Sequence, residues 1–230
     1  MSVGPSVYWY LTRASGAVSL VLLTLAVVIG VAAIGRLRTR ALPRFVVDGL
    51  HRTASLLAVV FLVVHILTAV LDSFAPIALT DAVIPFAGTY RPLWLGLGAV
   101  SFDLLLAVTI TSLVRVRLGH GVWRAVHWLA YAAWPVAVIH GFGTGSDVHQ
   151  VWMLAIDVVC IAATLTAVGA RAMIGWPDNV GLRVGALGVA AVFALGLVVW
   201  LPGGPLGTGW ARRAGTPPSL LHPATRAGHA

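Results

Sequence analysis

Four histidines offer the chemistry in this sequence. His51 and His65 stand near the two ends of Gly49 to Val70, an apolar run of membrane length. His127 and His140 repeat the plan in Trp123 to His140. Ionisable side chains within a membrane segment are costly, which makes them functional candidates. Fourteen residues of helix place His51 and His65 about 21 Å apart along the axis and about 40° apart in azimuth, so they share one face. A hydrocarbon core is about 30 Å thick, so one histidine lies toward each leaflet. His127 and His140, thirteen residues apart, are separated by about 20 Å but differ by about 140° in ideal azimuth. Pro135 lies between them and can kink or rewind that helix.

The simplest pairing sets His51 against His127 on one side of the membrane and His65 against His140 on the other. Two cross-helix imidazole pairs stacked along the membrane normal suit two b-type haems, for which neutral imidazole is an axial ligand. Haem propionates need cationic partners near the interface. Arg52 and Arg124 lie beside the first pair, and Arg91, with Arg13 and Tyr90, lies on the other side. Orientation signalling is the plainer role for these arginines and accounts for Arg36, Arg38, Arg40 and Arg44 in full. Ala54, Ser55, Ala58 and Leu62 lie between the two histidines of the second helix. They leave room for a flat macrocycle or for close helix packing. His120 and His149 fall at helix ends, and His222 and His229 in the tail; none is expected to ligate.

The elements that must position these side chains are membrane helices. The 230 residues are 59% hydrophobic and only 10% charged, with a mean hydropathy of +0.95. That balance and several apolar runs of about 20 residues predict an all-α, polytopic membrane bundle. Six spans are expected, near 14–34, 45–71, 92–114, 121–139, 148–170 and 184–201, with the haem sites between the second and fourth. Tyr8, Trp9 and Tyr10 form an interfacial belt before the first, which is expected to be a retained helix rather than a secretory signal. Residues 72–91 read as an interfacial or re-entrant loop. From Pro202 the chain turns rich in Gly, Pro, Ala and Arg, which predicts disorder. The net charge of +8 comes from 15 basic residues, all arginine. They cluster in the loops 1–2, 3–4 and 5–6, which predicts that these loops are cytoplasmic and argues against nucleic-acid binding. The expected setting is the cell membrane.

Other features point less sharply. Cys160 is a lone thiol in an apolar run and reads as a core residue. Asp103 and Asp157 fall in mid-helix, where they stitch the bundle or relay protons. Trp134 lies between the two histidine depths, where a core or lipid-facing place is plainer than one between haems. GFGTG follows no strand and is no dinucleotide fingerprint. No stretch is long and polar enough to bind flavin or nicotinamide, so FAD or FMN and NAD(P)H would enter only through a partner.

The double histidine pair resembles that of the ferric reductase-like transmembrane domain family. That group includes ferric reductases, NADPH oxidases and the haem subunit of a bacterial methionine sulfoxide reductase system. His51 and His65 match its first ligand pair and His127 and His140 its second, with the unequal spacing usual there. YWYLTRASGAVSLVLL, YRPLWLGLGAVSFDLLLAV and WRAVHWLAYAAWPVAVIHGFGTG resemble the actinobacterial branch, whose members often stand alone. The resemblance covers about Tyr8 to Arg171. It implies two haem b groups that pass electrons from a cytoplasmic flavoprotein reductase or quinol to an extracytoplasmic acceptor: ferric iron, oxygen or a partner protein. The chain is then either a ferric reductase-like oxidoreductase itself or the haem-binding membrane subunit of one. The expected organisation is an extracytoplasmic segment at 1–13, the haem domain at 14–171, a loop and extra helix at 172–201, and a basic tail at 202–230. The competing reading is a haem-free transporter or proton channel that uses Asp103, Asp157 and the histidines as a relay.

Overall fold

The computed structural model describes residues 6–34, 43–174 and 176–221. Arg36, Arg38, Arg40, His222, Arg226 and His229 lie outside them. The described residues form helices α1 (Val7–Ile34), α2 (Arg44–Leu71), α3 (Pro92–Leu113), α4 (Arg115–Leu118), α5 (His120–His127), α6 (Leu129–Thr144), α7 (Val151–Met173), α8 (Val180–Gly203), α9 (Trp210–Arg213) and α10 (Pro218–Leu221). One 3-10 turn, Leu79–Ala82, interrupts the α2–α3 connection, which does not cross the bundle. Five helices are long and apolar enough to span a membrane: α1, α2, α3, α7 and α8.

Helix α1 begins at Val7, not at Ala14 as expected. Ser6 explains the difference. Its hydroxyl accepts the Trp9 N–H at 3.0 Å, a helix N-cap, and donates to Asp72 Oδ1 at 2.9 Å. The aromatic belt and Arg13 therefore belong to the helix, and most of the expected N-terminal segment is wound into it. Pro43 ends the preceding chain in an extended conformation and admits α2 behind it.

The expected fourth span is made in two pieces, α5 of 8 residues and α6 of 16. The break is at Trp128, beside His127, whereas Pro135 is carried inside α6. Trp128 keeps helical angles (φ −62°, ψ −22°), so the chain shifts register without reversing. Helix α5 carries His120, Arg124 and His127 and is too polar to extend the apolar run. Trp123 Nε1 bonds Ser112 at the C-terminal end of α3, and the end of α6 reaches Arg91 at its start, so the pair crosses the full bundle.

Two antiparallel hairpins build the fold. Helix α1 lies along α2, and α3 along α6; α1 also touches α6 and α7, and α8 rests on α7. No packed interface joins α2 to α6 among the described residues, so a gap runs between the hairpins. The core joins Leu23, Val27 and Val31 of α1 to Trp134, Val138 and Phe142 of α6. Trp134 is a core residue: it is buried, and its indole N–H donates to Thr24 Oγ1 at 2.9 Å. Cys160 is buried too. On α8, Val189 is 73% and Val199 80% exposed. Such a face is tolerated in hydrocarbon and not in water. This is a multi-pass membrane protein.

Residues 202–221, expected to be disordered, fold back onto the end of the bundle opposite the arginine-rich loops. The backbone N–H of Arg91 bonds Gly215 O at 3.1 Å. The buried Arg91 guanidinium donates through Nε to Thr216 Oγ1 at 2.9 Å and through Nη1 to Gly143 O and Thr144 O, both at 3.1 Å. Trp94 stacks on Trp200 at 5.1 Å, and Trp210 closes the cluster. Gly and Pro dominate the tail's composition, but one tryptophan and one threonine supply its anchors. Arg91→Ala should therefore destabilise the protein by about 2–4 kcal/mol, since the lost bonds are charge-assisted and Trp210 Nε1 alone remains on Gly143 O. Thermal unfolding in detergent, with limited proteolysis of 202–221, checks this.

Candidate functional site

The gap between the hairpins holds the four histidines in the expected pairs. His51 and His127 have ring centroids 6.1 Å apart, and His65 and His140 6.4 Å apart. An imidazole nitrogen sits about 2.0–2.1 Å from a bound metal and about 1.1 Å from its own centroid, so two rings facing across one ion have centroids about 6.3 Å apart. Both pairs meet that spacing. Their planes are crossed, at 68° and 86°. Among the described residues no three His, Cys or Asp side chains converge as a protein-only metal cage requires. Two axial imidazoles are instead what a macrocycle with its own four nitrogens needs.

Backbone geometry aims three of these rings. His65 Nδ1 lies 2.8 Å from Thr12 O, His51 Nδ1 3.0 Å from Ala26 O, and His140 Nδ1 2.8 Å from Trp94 O. Each contact makes Nδ1 the donor and leaves Nε2 free to accept or to coordinate. Each carbonyl lies four residues before a glycine: Gly16, Gly30 and Gly98. The missing Cβ is what admits the ring. A Cβ on Gly98 would stand 2.5 Å from His140 Cε1, one on Gly16 2.9 Å from His65 Nδ1, and one on Gly30 3.4 Å from His51 Cε1. Sequence reasoning passed over these glycines. The clue was there: Gly16 and Gly30 repeat the fourteen-residue step of His51 and His65 on an antiparallel neighbour. His127 is different. Its Nδ1 is buried with no hydrogen-bond partner among the described residues, and its ring stacks on Trp123 at 5.0 Å.

A cavity of about 380 Å³ surrounds the His65/His140 pair. Gly16, Ala58, Leu62, Gly98 and Ala137 line its depth, and Asp157 of α7 is buried on its wall. Asp103 is half-buried on α3 and does not line it. At the mouth Arg13 forms an ion pair with Asp147 and lies over the Trp9 ring, 3.7 Å from its centroid. Asp147 was not singled out from the sequence, where it reads as one more loop carboxylate. Arg52 and Arg124 are exposed beside His51 and His127. Arg91, expected with them, has its Nε and Nη1 committed to the tail and the α6 terminus. His120 and His149 are exposed and join neither pair.

A family model described as "Ferric reductase like transmembrane component" matches residues 15–138, which contain three of the four histidines. No curated protein and no solved structure matches the chain.

The Arg13–Asp147 pair is mostly withdrawn from solvent, at 19% and 10% side-chain exposure. Asp147→Ala should lower stability by roughly 1–3 kcal/mol, because it strands the guanidinium without its counter-charge. Arg13→Ala with Asp147→Ala should recover part of that loss. A thermal-unfolding double-mutant cycle checks both.

Proposed function

We propose that this chain, which belongs to the ferric reductase-like transmembrane component family, moves electrons across the membrane through two b-type haems. One is held by His51 and His127, the other by His65 and His140. The observation that supports this is the presence of two imidazole pairs, each spaced for one metal ion, at the two ends of a gap between membrane helices. When bound, a haem supplies a one-electron Fe(III)/Fe(II) couple.

The chain's own residues do the rest. The four imidazoles would hold the two groups, which would favour outer-sphere electron transfer over binding of small ligands at iron. Carbonyls of Thr12, Ala26 and Trp94 fix the tautomers and ring angles of His65, His51 and His140. Gly16, Gly98, Ala58 and Ala137 leave room in the gap for a flat group. Arg52 and Arg124 pair with propionates at the arginine-rich end. At the other end Arg13, whose charge is shared with Asp147, lies at the cavity mouth, and Arg91 also anchors the tail. The arginine-rich end is cytoplasmic by charge. Electrons then enter beside His51 and His127 from a flavoprotein reductase, which brings FAD or FMN and NAD(P)H, or from a quinol. They leave beside His65 and His140 to ferric iron, oxygen or a partner protein. A haem-free proton relay has less support, because Asp103 does not line the cavity that Asp157 faces.

In proteoliposomes, His65→Ala should remove one haem of two and stop reduction of an external ferric chelate by an enclosed donor; unchanged haem content would sink the ligand assignment. Gly98→Leu should also halve bound haem by expelling the His140 ring. Gly188→Leu, into open space on α8, should leave it unchanged.

A further inference from the structure

Four carboxylates line the His65/His140 cavity: Asp72, Asp81, Asp147 and Asp157. The first three lie outside the spans at its mouth, and each has a partner. Asp72 accepts from Ser6 Oγ at 2.9 Å, Asp81 accepts from the Ala78 N–H at 2.9 Å, and Asp147 pairs with Arg13. Asp157 lies in the second turn of α7, inside an apolar span. It is 5% exposed and has no hydrogen bond or ion pair among the described residues. Ser19 Oγ, on α1, is also buried without a partner among the described residues, and Ser19 lines the same cavity. Two helices thus each place an unmet polar group on one apolar wall. An ionised carboxylate so placed is costly without a proton or a counter-charge. The elements packed around it offer no fixed counter-charge. Helix α1 carries no ionisable side chain after Arg13, which is held by Asp147. Helix α8 carries none after Arg183, whose guanidinium bonds Ala172 O and Ile174 O at the far end of α7. On α7 the nearest is Cys160, buried one turn further in. Helix α6 has His140 on the cavity and Tyr131 toward the arginine-rich end. His65 and Tyr90 complete the ionisable lining.

We propose that Asp157 binds a proton when an electron reaches the His65/His140 site and releases it when the electron leaves. This rests on the two-haem reading above. The step balances: iron passes from Fe(III) to Fe(II), an O–H bond forms on the Asp157 carboxylate, and water at the cavity mouth supplies the proton. On reoxidation that O–H bond breaks and the proton returns to the mouth. An electron adds negative charge to a low-dielectric cavity, and a carboxylate on its wall then holds a proton more tightly. With one proton taken up per electron, a tenfold drop in proton concentration lowers the Fe(II)/Fe(III) ratio at fixed potential by up to about tenfold.

The test is anaerobic potentiometry of the purified full chain across the neutral pH range, with haem content measured on each sample. The wave to follow is the one that His65→Ala removes. In the unmodified chain the Fe(II)/Fe(III) ratio of this site, at fixed potential, should fall by up to about tenfold per pH unit. Asp157→Asn, which keeps the shape without the charge, should abolish most of that dependence and leave the other wave as it was. Asp103→Asn, off the cavity lining, should change neither wave. If Asp157→Asn costs the haem, Asp157→Glu decides by redox-induced infrared difference spectroscopy: the carboxyl C=O band that grows on reduction should move to a different frequency. A pH-independent wave in the unmodified chain, an undiminished dependence in Asp157→Asn, or a C=O band unmoved by Asp157→Glu would overturn the proposal. A purified chain without haem would instead overturn the two-haem reading on which it rests.

Discussion

A polar group inside a bilayer must be answered from within the protein, and four imidazoles in a gap between helices bring eight ring nitrogens under that rule. The bundle answers three of the Nδ1 atoms with backbone carbonyls of a neighbouring helix. Those carbonyls already close the helix's own ladder, so a second donor reaches them only where the side chain above is missing. Glycine at positions 16, 30 and 98 meets this need at the cost of helix propensity. Elsewhere in α1 and α3 the usual apolar residues hold the helices together. The three notches thus fix the registers α1 to α2 and α3 to α6 as well as the angles of the rings. Packing and chemistry are set by the same contacts.

The same contacts account for the shape of the fold. Each hairpin carries a histidine helix, α2 or α5–α6, and a notch helix, α1 or α3, and the histidine helices face one another across the gap. Direct packing of α2 on α6 would close that gap. The hairpins are joined instead through Leu23, Val27 and Val31 of α1 against Trp134 and Val138 of α6, and through α7. A thirteen-residue step between His127 and His140 misaligns two side chains on an unbroken helix. The break at Trp128 brings His127 back toward the gap, so that both pairs have similar separations.

Much of this was legible in the sequence because the strongest signals are local. Apolar runs mark the spans, and a histidine within such a run is conspicuous. The all-α membrane bundle and the pairing of His51 with His127 and His65 with His140 followed from them. Tertiary causes were not legible. Trp128 is an ordinary helix residue, and only its place beside His127 makes the break useful. Arg91 showed a charge at a helix start, but not that Thr216, more than a hundred residues later, would bind it. The tail read as disordered because composition averages over Trp210 and Thr216, the residues that hold it. The glycines were hidden among 25 in the chain, since their meaning depends on which helix lies opposite.

The central claim is that these imidazole pairs are haem ligands. The most direct measurement is the dithionite-reduced minus oxidised spectrum of the purified chain, made with ample haem supply, together with its haem content. Two low-spin, six-coordinate b-type haems per chain are the expected result. A colourless protein would contradict the account, and would return Asp157 and the histidines to the reading of a proton relay.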